Sequence, residues 1–217
     1  MARPKSITDE EILEAARETF LDRGAQATTA EIADHAGISE GTIYSRFETK
    51  GALFRQAMDI PYPSEWMDLV DDLPERVERT LEETNRPLTD ILQENLQELG
   101  LAMTEFFVEI APKMHTVMEV PFDIDDLPMT IGEGDVSVPP PVHGLKVTTQ
   151  MFHRMRQRGY IRQCDPEILA RNFVGVVYHF AFSEMTGIND YLPMPRETYM
   201  RGFVHQIIHG VAGTSDS

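Results

Sequence analysis

Residues 28–50 read TTAEIADHAGISEGTIYSRFETK. Ile32, Ala33, Ile43 and Phe47 recur at helical spacing, and a hydroxyl residue stands at the head of each run. Thr28 and Glu31 have the spacing of a capping box, in which side chains and backbone N–H groups satisfy one another at a helix start. Ser39 heads the second run, with Ile38 and Ile43 at the positions of a hydrophobic staple. Gly37 lies between the runs, where a chain leaving a helix turns through a left-handed conformation that glycine adopts without strain. The spacing predicts two short helices joined by a tight turn.

Outward from this stretch the same chemistry repeats. Thr8 with Glu11 forms a second box, and Ile7 with Ile12 its staple. Thr49 can cap a further helix through Leu53, Phe54 and Ala57. Leu13, Ala16, Phe20, Ile32, Ala36, Ile43, Phe47 and Phe54 then supply a shared core, so residues 1–60 read as a helix-turn-helix bundle. At about 100° per residue, Ile43 and Phe47 point inward. Gly41 and Ser45 point outward, flanked by Thr42 and Tyr44. A glycine inside a helix costs about 1 kcal/mol relative to alanine. Gly41 therefore asks for a reason, and close approach of a DNA major groove supplies one.

Lys50 falls in the first turn of the last of these helices, where a cation opposes the helix dipole by about 0.3–1 kcal/mol. A phosphate against those amides reverses the sign. Tyr44, the Thr28 and Thr29 hydroxyls and an Arg3/Lys5 arm offer further phosphate donors. Blander roles stand beside these: Thr28 and Ser39 as caps alone, and Arg46 paired with Glu48 or Glu18.

The run TTAEIADHAGISEGTIYSRFETKGALF (28–54) resembles the DNA-binding domain of the tetracycline-repressor (TetR) family of bacterial regulators, over about residues 7 to 58. The resemblance implies a dimer whose larger helical C-terminal domain binds a small-molecule inducer and pairs through its last two helices. It also places Thr29, Ser39, Gly41, Thr42, Tyr44, Ser45, Arg46 and Lys50 at the family's usual DNA contacts. Glu40 departs from the family, in which a basic residue is frequent at that position.

Charge qualifies the picture. The 217 residues carry 19 Lys+Arg against 36 Asp+Glu, a formal net charge of −17. This excludes a general polyanion binder but not one with a few cations gathered on one face. Residues 1–60 hold 7 basic and 11 acidic groups, so most of the acid lies beyond them. With only 4 lysines in the chain, adaptation to high salt is a second explanation of the acidity. The lone Cys164 excludes an internal disulfide framework. The start MARPKSITDEEI has no apolar signal region, and FVGVVYHFAF (173–182) is too short to span a bilayer. A cytoplasmic protein with no membrane partner is expected.

Residues 61–217 read as a second, larger helical domain, entered through the proline-flanked IPYPSE (60–65). Helical patterns run roughly over 64–84, 87–119, 142–159, 166–186 and 196–212, with APKM (111–114) expected to kink or divide the second. Residues 120–142 read as a long loop. The predicted fold class is all-α. Met103, Phe106, Phe107, Met114, Met118 and Phe122 fit either ordinary core or a deformable pocket for an apolar or amphipathic effector. Phe173, Val176, Val177, Phe180, Phe203 and Ile207 make a stripe wider than one surface helix needs, which reads as a four-helix homodimer interface. A partner of another kind is the rival.

HRMRQRGYIR (153–162) would either pair internally with acids or receive a phosphate-bearing ligand. His205 and His209 have metal-ligand spacing without an evident third ligand, so neither a metal nor a cofactor is expected. No phosphate loop, His-Glu-x-x-His or paired-cysteine site is present. The expected function is a ligand-responsive DNA-binding regulator, a repressor released from a near-palindromic operator by its effector. The alternatives are a helical enzyme and a helix-turn-helix module that binds protein.

Overall fold

The computed structural model describes residues 7–60, 64–118 and 138–210, with positions 25, 111, 112 and 114–118 described by backbone alone. Ten α-helices and one 3-10 turn make up its regular structure among the described residues, so the fold is all-α. The chain divides into two compact units.

The first unit contains α1 (Asp9–Arg23), α2 (Thr29–Ala36), α3 (Glu40–Phe47) and α4 (Lys50–Met58). Each begins at its predicted cap. Thr8 and Thr28 form complete boxes with Glu11 and Glu31. Ser39 and Thr49 accept from the N–H groups of Thr42 and Ala52. Gly37 ends α2 in the left-handed region (φ +67°). Of the predicted core, Ala16, Phe20, Ile32, Ile43, Phe47 and Phe54 are buried, joined by Ile12, while Ala36 is only half-buried; the Phe20 and Phe54 rings stand edge to face at 4.9 Å. Leu13 packs at its margin, as do Ile7, Ile38 and Ile110. Between α3 and α4 the chain turns at Glu48 with φ +62°, and Thr49 N–H donates to Phe47 O at 2.6 Å. A non-glycine residue in so tight a turn is strained.

The second unit contains α5 (Glu65–Glu83), most of α6 (Leu88–Met118) and α7 (Pro140–Gln157), with α8 (Pro166–Met185), α9 (Ile188–Tyr191) and α10 (Arg196–His209). The last turns of α6, from Ile110, belong to the first unit. The division of α6 expected at 111–114 does not occur, because a proline removes one backbone donor without obliging a long helix to stop. The loop expected over 120–142 lies mostly outside the described residues, and α7 already begins at Pro140, where the missing N–H would have had no intrahelical partner. The short α9 has no counterpart in the predicted helices.

Pro74 sits inside α5 and cannot donate to the carbonyl of Val70. Arg154 of α7 covers the gap: its Nη2 donates to Asp71 O at 3.0 Å and approaches Val70 O at 3.4 Å. Of the basic cluster around it, Arg154 and Arg158 pair with acids of α5. Arg158 binds Glu75 at 2.7 Å and lies 3.5 Å from Glu78, while Arg156 donates to Cys164 O at 2.8 Å. Burial pushes the Glu75 carboxyl up, but the hydrogen bond and charge of Arg158, with Arg154 beyond, hold it below the ordinary carboxylate value. Elsewhere α10 lies close against α6. A Cβ on Gly100 would come within 2.9 Å of Met200 Sδ. Arg196 grips both carboxylate oxygens of Glu184 and secures α10 to α8.

Candidate nucleic-acid interface

On α3, Ile43 and Phe47 are fully or almost fully buried, which turns Gly41, Tyr44 and Ser45 to solvent. A side chain at Gly41 would meet nothing nearer than Ser39 Oγ at 3.8 Å. Nothing among the described residues therefore requires glycine there. Tyr44 is 46% exposed, unusual for a ring so close to a core. The short hydroxyls are partly committed to the helix itself. Ser39 Oγ lies 2.9 Å from Thr42 Oγ1, and Ser45 Oγ donates to Thr42 O at 2.9 Å.

Two of the predicted contact residues are engaged within the domain. Thr29 is buried, and its hydroxyl donates to Glu40 Oε1 at 2.5 Å. That donation uses its only proton, so the Tyr44 hydroxyl, 3.1 Å away, is the donor to Thr29. Arg46 pairs with neither Glu48 nor Glu18. Its Nη1 reaches Asp9 Oδ1 at 2.8 Å and the Ile7 carbonyl at 2.9 Å, fastening α3 to the start of α1.

Thr28 is exposed and acts as the cap of α2. Lys50 is half-buried in the first turn of α4. Its charge contributes to holding the Glu31 carboxyl below its ordinary value, behind the larger effects of the Thr28 backbone and hydroxyl hydrogen bonds and Arg23. The acids Glu11, Glu14 and Glu18 line a separate cleft with His35, along α1 and the end of α2. The predicted face thus gathers Ser39, Gly41, Thr42, Tyr44 and Ser45 on one short helix, with Lys50 at the head of the next. Asp9 and the Thr29–Glu40 pair were missed. Sequence spacing carries no signal for partners so far apart.

In the second unit, Met103 is fully buried. Phe106 and Phe107 belong to a chain of rings, Trp66–Phe106–Phe107–Tyr178, with centroids 6.1, 5.6 and 5.5 Å apart. The indole Nε1 of Trp66 and the hydroxyl of Ser64 are buried without hydrogen-bond partners. The side chains of Met114 and Met118, and all of Phe122, lie outside the described residues. An open cleft of about 580 Å³ lies elsewhere, lined by Asp71, Gln150, His153 and Arg154 among others.

The stripe assigned to a dimer requires correction. Phe173, Val177 and Phe180 are buried within the single chain, Phe173 against Phe152 and Phe203. Val176, Phe203 and Ile207 are half-buried. The apolar groups α8 leaves exposed are Ile168, Tyr178 and Phe182. The His205 and His209 rings lie 4.3 Å apart, and no group of three or more metal-ligating side chains is assembled among the described residues. Among the same residues, no helix is long and apolar enough to cross a membrane.

Residues 12–57 match the family model described as bacterial regulatory proteins, tetR family. A stretch of 106 residues is 34% identical to the HTH-type transcriptional repressor KstR2 of Mycolicibacterium smegmatis, covering 48% of this chain and 44% of that protein. A stretch of 49 residues is 49% identical to the HTH-type transcriptional repressor BepR of Brucella suis, covering 22% of this chain and 23% of that one. The chain thus spans less than half the length of either curated relative. The fold also resembles that of a candidate fatty acid metabolism regulator from Clostridium perfringens, with a TM-score of 0.54 at 17% identity over 94% of this chain and 100% of the other. The helix-turn-helix unit, over residues 12–57, is thus of the kind found in the bacterial regulatory proteins of the TetR family.

Proposed function

We propose that the protein is a homodimeric, effector-responsive repressor that places the α3 helices of its two copies in successive major grooves of a near-palindromic operator. The observation that carries this reading is Gly41: an exposed helical glycine whose Cβ position is open. Its stability cost answers no internal need, whereas a groove wall pressed against α3 would demand it. Lys50 and the exposed hydroxyls of α3 then serve the backbone phosphates. Such a regulator would work in the cytoplasm, as neither an enzyme nor a membrane protein.

The effector reading rests on α6. Its earlier turns carry Met103, Phe106 and Phe107, and its last turns place Ile110 against the core of the first unit. A small apolar or amphipathic molecule lodged among the rings would bias the position of α6. Operator affinity would then change by as much as the molecule prefers one position over the other. The outer face of α8, with Ile168, Tyr178 and Phe182, together with half-buried Val176, Phe203 and Ile207, is the proposed surface for a second copy.

The test is capture of genomic DNA fragments by the purified protein. Enrichment of sites with half-sites about one helical turn apart is the expected result. Fragments recovered without any common sequence would defeat the reading. The sole tryptophan, Trp66, reports on the effector, since a molecule entering beside Phe106 should change its fluorescence.

A further inference from the structure

We infer that Glu40 is the specificity-determining residue of the interface, accepting a hydrogen bond from the exocyclic amino group of a cytosine in each half-site. This rests on the repressor reading above and adds what the protein reads.

Glu40 is the first residue of α3 and is exposed. The N-terminal residues of a recognition helix are those that reach base edges. An acid there works against the DNA phosphates, so its presence on this face asks for a compensating contact. The structure holds it in place. The Tyr44 hydroxyl lies 3.1 Å from Thr29 Oγ1, whose own proton goes to Glu40 Oε1 at 2.5 Å. Thr29 is only 5% exposed, so the chain of hydrogen bonds is anchored in the domain and not in solvent.

The chain ends on a group that can only accept, and its Oε2 is left to do so. In the major groove, donors are offered by cytosine N4 and adenine N6. Adenine places its acceptor N7 beside N6, which repels a carboxylate. Cytosine has a C–H on one side of N4 and the paired guanine O6 on the other, one acceptor fewer than adenine N6, which lies between N7 and the paired thymine O4. A fixed carboxylate therefore selects cytosine, and Thr29 acts as a positioning residue for it.

The experiment is selection of bound duplexes from a random-sequence pool by the full-length protein and by Glu40→Gln, Glu40→Ala, Thr29→Val and Thr29→Ser. Wild type should enrich a cytosine at one position of each half-site. Replacing that cytosine with an analogue lacking the 4-amino group should weaken wild-type binding about ten-fold. It should leave Glu40→Ala unaffected. Glu40→Gln, whose amide both donates and accepts, should shift the preference toward adenine. Thr29→Ser should keep the cytosine preference and Thr29→Val should lose it, even where both melt like wild type. Wild type and Glu40→Ala enriching the same sequences with the same preference would overturn the proposal while leaving the repressor reading intact. Enrichment of no sequence by wild type would overturn both.

Discussion

Arg154 supplies the donor that Pro74 removes from α5: its Nη2 stands 3.0 Å from Asp71 O and 3.4 Å from Val70 O, the carbonyl a non-proline residue at position 74 would have bonded. One residue breaks a helical ladder, and a side chain 80 positions later mends it from α7.

The pairing predicts non-additive stabilities. Arg154→Ala should cost about 1–2 kcal/mol, the penalty of leaving a partly buried carbonyl without a donor. In a Pro74→Ala background the backbone N–H returns, and the same change should cost at least about 0.5 kcal/mol less. Denaturant titration of the four proteins measures the coupling, and equal costs in both backgrounds would show that Arg154 acts only through its acids.

At Gly41, folding and binding should separate. In Gly41→Leu the Cβ has room among the described residues and a poor helix former is removed, so thermal stability should hold or rise by up to about 1 kcal/mol. Specific DNA binding should be lost by steric exclusion. A leucine variant that still binds its selected operator would place α3 outside the groove.

Lys50 and Arg46, the two basic residues expected at the DNA from the 28–50 stretch, should behave differently with salt. Lys50→Ala should weaken binding to all sequences and lower the slope of log affinity against log salt by about 1. Arg46 is committed to Asp9 and the Ile7 carbonyl, so Arg46→Ala should leave that slope unchanged. Its stability loss should stay within about 1 kcal/mol, because the pair is largely at the surface.

The α2 capping box gives a pH signature. The Thr28 backbone N–H, the Thr28 hydroxyl and the nearby Arg23 and Lys50 charges hold the Glu31 carboxyl below its ordinary value when folded. A depressed folded value means stabilisation that is full above the ordinary carboxylate range and lost as pH falls through the folded value. Glu31→Gln should therefore melt below wild type at neutral pH, with the gap closing on acidification. A gap constant from neutral pH to pH 3 would remove Glu31 from the cap.

By itself the sequence determined the helix starts of the first unit, held by partners three or four residues apart. The boxes at Thr8 and Thr28, the caps at Ser39 and Thr49, the Gly37 turn and most of the inward set from Ala16 to Phe54 could be read, because a helix brings i and i+3 together whatever surrounds it. Only the tertiary structure decided which groups from distant elements meet. Thr29 was expected at phosphate and instead positions Glu40; Arg46 found Asp9. Phe173, Val177 and Phe180 lie inside the chain, leaving Tyr178 and Phe182 outward. A helical wheel fixes the angles between side chains but not which direction a neighbouring helix occupies. That choice is made by packing, which no local spacing records.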